Sequence, residues 1–189
     1  MDVRTCAKGD WRMKKPPAEI VASALAVTTI FIGMLPWNLP PWAIFIAWAG
    51  TFAAGGPTLS IMRKFWITMP IGAGTAFLIV LGFQWAGSAF GGAAALFAQC
   101  AILFCLNGMM MLLGRIPAIG FVPGMFFGFA CFFATLFGGF GPDPKNPVMA
   151  LVACLAMNFL GPIYAWLTAR LGAHHELNSP CRGTRGELR

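Results

Sequence analysis

Apolar residues fall in six blocks along the chain, Ala18 to Leu35, Trp42 to Ile61, Phe65 to Gly87, Phe90 to Leu113, Ile116 to Phe140 and Val148 to Leu171. A helix that crosses a bilayer needs about 20 predominantly apolar residues, and each block meets or approaches that length, the first only marginally. Gly or Pro interrupts several of them. The polar interruptions are short: Pro36 to Pro41, Met62 to Lys64, Ser88 and Ala89, Gly114 and Arg115, and Gly141 to Pro147. Short links predict sequential helices that run antiparallel as neighbours. The pattern therefore predicts an all-α polytopic membrane protein with six transmembrane helices in residues 18–171. A basic tail, residues 1–17, precedes them, and a second tail, residues 172–189, follows.

Composition agrees: 58% of residues are hydrophobic and 10% charged, against about 25% charged in soluble domains. The net charge of +7 does not point to nucleic acid, because the basic residues lie outside the apolar blocks in no recognition pattern. They bear on orientation instead, since Lys and Arg collect in cytoplasmic loops. With the N-terminus inside, Arg4, Lys8, Arg12, Lys14, Lys15, Arg63, Lys64, Arg115, Arg170, Arg182, Arg185 and Arg189 all fall inside, and Lys145 alone outside. Both termini are then cytoplasmic. Trp37, Trp42 and Trp85 would mark the outer interface, with Trp66 and Trp166 at the inner one. No small-x-small cleavage site follows Leu35 before the next block, so the basic start reads as a retained tail. Cys6, Cys100, Cys105, Cys131, Cys154 and Cys181 show no two-residue spacing, which argues against a zinc site or disulfide framework and for small residues packed between helices.

A shift of 81 residues sets Gly33 on Gly114, Pro36 on Pro117, Phe45 on Phe126, Ala49 on Ala130, Phe52 on Phe133 and Ala53 on Ala134. In a chain this rich in Gly, Ala and Phe some matches arise by chance, so coincidence and a true repeat stay as alternatives. A true repeat of three helices has an odd number of crossings, which inverts the second half relative to the first and tends to place a solute path between them.

The most specific stretch is Gly120 to Gly128, where Gly120, Gly124 and Gly128 recur at every fourth position. Ala43 and Ala47 stand opposite Gly124 and Gly128 under the shift. Such stripes let helix backbones approach closely in lipid. A sharper expectation is that Pro123 and Gly124 break the fifth helix and free backbone groups toward a wet cavity. No Asp, Glu, Lys, Arg or His lies deep in a block, which counts against ion-coupled transport. The buried polar set is neutral: Thr28, Thr29, Thr51, Thr75, Gln99, Asn107, Thr135, Asn158 and Tyr164, mostly expected in interhelical hydrogen bonds. Asn107 and Asn158 are the leading pore-lining candidates. Phe is dense from Phe121 to Phe140, and Phe126 to Phe137 within it fit core, lipid contact or a hydrophobic constriction. Asn146 and Pro147 predict an N-cap followed by Pro in the first helical turn, and His174 with His175 lack spaced metal partners. No nucleophile, zinc-helix or paired-carboxylate motif occurs, so an enzyme is not expected.

Phe121 to Ala134, FVPGMFFGFACFFA, resembles the uncharacterised inner-membrane proteins grouped as domain of unknown function 1097, the YcdZ-type family. FVPG, Phe126, Gly128, Phe133 and Ala134 carry the likeness, with Trp48, Gly50 and Phe52 before Gly55 and Gly56 in the first half. The resemblance implies a bacterial plasma-membrane protein and brings no substrate, catalytic residue or cofactor with it. The leading expectation is an uncoupled channel or facilitator for a small solute, built from two inverted halves that meet near Ala43, Ala47, Gly124 and Gly128. Its expected partners are membrane lipid, a small-molecule solute and further copies of the chain in a homo-oligomer. The alternative is a non-transporting protein that binds a partner subunit or lipid through its glycine faces.

Overall fold

The computed structural model describes residues 15–173, and no β-strand occurs among them. The rest of both tails, with His174, His175, Cys6 and Cys181, lies outside the described residues. Six helices follow in order: α1 Ala18–Gly33, α2 Pro41–Ala53, α3 Leu59–Ala89, α4 Gly92–Leu113, α5 Val122–Phe137 and α6 Pro147–Leu171. The apolar helices make this a membrane-embedded protein. Helices α3, α4 and α6, of 31, 22 and 25 residues, are long and apolar enough to cross a membrane. Helices α1, α2 and α5 have 16, 13 and 16 residues, so each falls short of a hydrocarbon core about 30 Å thick.

Two boundaries differ from the sequence expectation. The second block breaks at Ala53, because Gly55 and Gly56 adopt φ of 113° and 98°, a region costly for any residue with a Cβ. Pro57 follows, and Thr58 then caps α3 by accepting a hydrogen bond from Ile61 N at 3.3 Å. Met62 to Lys64, expected as a link, therefore lie inside α3, whose first turns carry Arg63 and Lys64. The fifth block does not begin at Ile116: residues 114–121 form turns, and the helix starts at Val122 with Pro123 in its first turn. Pro123 thus starts a helix rather than breaking one, since a first-turn N–H has no intrahelical acceptor to lose. At α6, Asn146 accepts from Val148 N at 3.0 Å, with Pro147 following. Asn146→Ala should cost about 1 kcal/mol, measured as a modest drop in thermal unfolding temperature in detergent.

Sequential helices reverse direction, yet the two most extensive contacts join non-sequential pairs, α3 with α5 and α2 with α6. Both pairs are parallel. Along α3 and α5, Phe65 meets Phe121 edge to face and Phe77 meets Phe132; along α2 and α6, Gly161 lies against Ile44, and Trp48 meets Tyr164. The close approaches depend on glycine. A Cβ on Gly72 would strike the Met125 carbonyl, one on Gly128 the Met69 carbonyl, and one on Gly161 the Ala47 side chain. In lipid no hydrophobic drive presses helices together, so such backbone-to-backbone packing supplies the contact. Helix α1 lies along α6, where Thr28 and Tyr164 share a hydrogen bond of 2.8 Å. Helix α4 flanks α3 and buries only Met110.

At one end of the bundle Lys15 Nζ donates to the Arg170 carbonyl at 3.0 Å, and Ala173 N donates to the Pro16 carbonyl at 2.8 Å. The segments before α1 and after α6 therefore lie side by side. At the other end Asn38, at φ 47°, clasps the α5–α6 connection: its Nδ2 donates to the Gly139 carbonyl, and its own carbonyl accepts from Gly141 N. The threonines correct one expectation. Thr51, Thr75 and Thr135 each donate to the carbonyl four residues back in their own helix, and Thr29 to the one three back. A hydroxyl reaches that carbonyl without ordering a second helix, so Thr28 alone of these threonines makes a side-chain bond across helices.

Candidate functional site

Two prolines sit well inside the long helices, Pro70 in α3 and Pro162 in α6. Proline has no N–H, so the carbonyls of Trp66 and Asn158, four residues before, lose the donor that a regular helix supplies. Both interruptions flank the place where α3 and α6 cross. There Trp66 Nε1 donates to the Phe159 carbonyl at 3.1 Å, and the two rings stack with centroids 5.0 Å apart.

The crossing encloses a cleft of about 170 Å³ lined by Phe65, Trp66, Met69, Pro70, Leu155, Asn158 and Phe159. Asn158 is its polar element. It is 3% exposed, and its Nδ2 donates to Cys154 Sγ at 3.3 Å. Its Oδ1 is buried with no hydrogen-bond partner. Leaving such an acceptor unpaired costs about 1–3 kcal/mol, and with no exposed surface of its own the oxygen is closed to the free space of the cleft. Among the described residues no charged side chain lines the cleft. Its mouth opens at the exposed Pro70 and Phe159, on the outer flank of α3 and α6.

The sequence-derived candidates take different places. Ala43 and Ala47 are fully buried in α2 and receive Gly161 of α6. Gly124 and Gly128 receive α3, the first at the Thr68 hydroxyl, where the Phe121 ring from the start of α5 is also close, the second at the Met69 backbone. The two small-residue stripes therefore do not face each other; each accepts a long helix instead. Gly120 lies in the turn before α5, where a Cβ would come within 2.9 Å of the Gly114 and Ile116 carbonyls. Pro123 starts α5 beside it. Asn107 is half-buried on α4, away from Asn158 and outside the cleft. Within the Phe cluster, Phe132 is fully buried whereas Phe137 is 73% exposed, so core and surface share it.

Trp66, Pro70 and Phe159 did not stand out in the sequence as cleft residues. The signal that finds them is a proline deep inside an apolar block, which Pro70 and Pro162 both provide. Two shallower grooves accompany the cleft. One, about 600 Å³, lies beside Gln84, Leu136 and Lys145. The other, about 590 Å³, runs between α3 and α4 along Gly82, Trp85 and Ile102.

Residues 19–173 match the family described as "Protein of unknown function (DUF1097)". No curated protein matches the chain, and no solved structure does.

Proposed function

Taking as premise that the chain belongs to the DUF1097 family, we propose that it is an uncoupled facilitator for a small uncharged solute in the bacterial plasma membrane. The observation that carries this reading is the α3–α6 crossing. Two long helices, each with an internal proline, cross there beside the buried Asn158, and repeat-built transporters place their solute sites between the halves.

The proposal includes six crossings in two inverted halves, α1–α3 and α4–α6. Buried positions support the symmetry. In α2, Ala43, Ile44, Ala47, Gly50 and Thr51 lie 81 residues before Gly124, Met125, Gly128, Cys131 and Phe132 of α5, and all ten are buried. In α3, Phe65, Thr68, Met69, Gly72, Ala73, Thr75, Ala76 and Ile79 correspond to Cys154, Met157, Asn158, Gly161, Pro162, Tyr164, Ala165 and Thr168 of α6 at a shift of 89. The change of shift falls around the long 138–146 connection, whose counterpart is the short 54–58 segment. Exchange of the halves also converts the α3–α5 contact into the α6–α2 contact. The short helices α2 and α5 would cross with help from their irregular flanks. The side-by-side ends at Lys15 and Arg170 support termini on one face, and the basic residues favour the cytoplasmic face.

The purified protein in liposomes should speed the osmotic response to at least one of a panel of small neutral solutes severalfold over empty vesicles, read by light scattering. Equal rates for the whole panel would remove the facilitator reading. The competing reading, a lipid- or partner-binding protein without transport, draws on α4, which buries Met110 alone and leaves the rest exposed or half-buried. The glycine faces are not available for it, since Gly124 and Gly128 are buried against α3.

A further inference from the structure

We infer that the groove between α3 and the α5–α6 connection holds one anionic phospholipid, its phosphate at Lys145 and an acyl chain along Val80, Phe83 and Leu136. The groove is an open recess of about 600 Å³. Its polar residues stand at the bundle's end: Gln84 lies within the last two turns of α3, and Lys145 just before the first residue of α6. Both are exposed. Val80 lies one turn, about 6 Å, deeper along α3, and with Phe83, Leu136 and Phe137 it makes the rest of the wall apolar. At the same end Trp42 and Phe140 pack edge to face, with ring centroids 4.0 Å apart. Tryptophan collects at the level where bilayer hydrocarbon gives way to headgroups.

That division selects the occupant. A water-soluble anion gains the Lys145 ammonium but makes no use of the apolar wall, and a single exposed lysine in water holds an anion weakly. A lipid without a phosphate covers the wall and gains nothing from the ammonium. A phospholipid matches both parts. Its phosphate meets Lys145 at headgroup level, where the Gln84 amide adds a donor, and its chain covers Phe137, which is 73% exposed. Among the described residues no carboxylate lines the groove to compete for the ammonium. Asp143, the acid nearest in sequence, sets its Oδ1 toward the Lys145 backbone N–H at 3.5 Å. Its negative charge beside the site favours a headgroup with one phosphate charge over one with several.

The groove shares no residue with the α3–α6 cleft, so this site stands with or without transport. The test is native mass spectrometry of the full chain released from detergent, titrated with phosphatidylglycerol and with diacylglycerol of the same chains. One phosphatidylglycerol should be retained about fivefold more tightly than diacylglycerol, the equivalent of about 1 kcal/mol for a lysine at an anionic surface. Lys145→Gln should erase that preference. Arg115→Gln, which alters an exposed cation outside the groove, should leave it whole. Should Lys145→Gln fail to fold, Gln84→Leu on the exposed end of α3 takes its place and should reduce the preference. Equal retention of the two lipids, or a preference that survives Lys145→Gln, would overturn the site. Displacement of the lipid by its headgroup alone, glycerophosphoglycerol, would overturn it too, reducing the groove to an anion site that needs no chain. A dimer in place of the lipid adduct, lost on Lys145→Gln, would give the face to a second copy instead.

Discussion

Gly128→Leu is expected to leave no stably folded bundle, seen as loss of the monodisperse species in size exclusion and of a cooperative melt in detergent. A side chain at Gly128 has nowhere to go: even a Cβ overlaps the Met69 backbone, and the obstacle is a carbonyl within α3, not the movable end of a side chain. To admit leucine, α5 must separate from α3 along its length. Gly72, which meets the Met125 carbonyl one turn away, would then lose its contact as well. Overpacking a core costs typically about 1–3 kcal/mol when side chains can shift. Here the backbone itself must move, so the expected loss is about 3 kcal/mol or more, enough to consume much of a marginal stability. Gly128→Ala should fall between leucine and the native residue. Gly108→Leu on α4, where a Cβ meets nothing within 4 Å, should melt like the native protein. A Gly128→Leu protein that melts within a few degrees of it would show that α3 and α5 do not cross there.

The glycine stripe that anchors this expectation was legible in the sequence, and so was its role in close packing. Its partner was not. Short links suggested neighbours in chain order, whereas α5 settles on α3 and α2 on α6, because the tightest fits are set by where Gly72 and Gly161 fall on the long helices. Hydropathy placed α4 and α6 to within a few residues, yet it ran α2 on through Gly55 and Gly56. Those two residues are apolar enough to extend a block while their positive φ ends the helix. The site was legible only in part. Asn158 was singled out as a rare amide within an apolar block, but so was Asn107, and nothing local distinguishes a residue buried at a helix crossing from one half-buried on a flanking helix. Pro70 carried the missing information: only the crossing seen in three dimensions sets it beside Asn158 in one cleft.

The last expected result tests the symmetry through a residue that the sequence comparison could not pair. Gly161→Leu should destabilise as severely as Gly72→Leu, again by about 3 kcal/mol or more. At the 81-residue shift Gly161 falls on Val80, so the repeat as read from the sequence assigns it no glycine counterpart. At the shift of 89 set by the buried positions, it falls on Gly72. Each of these glycines lets a long helix lie on a short helix of the other half, Gly72 on Met125 and Gly161 on Ile44 and Ala47. Met125 and Ile44 are themselves related by the 81-residue shift. Under the proposed symmetry the two contacts are the same contact made twice, and their losses should be alike. Gly74, two residues from Gly72 in the same helix, meets nothing within 4 Å, so Gly74→Leu should cost no more than the intrinsic change of residue. Matched losses at Gly72 and Gly161, with Gly74 silent, would support the inverted pair. A tolerant Gly161 beside an intolerant Gly72 would leave α2 and α6 packed by some other fit. The internal symmetry, and with it the reason to expect a solute site where the halves cross, would then have no energetic basis.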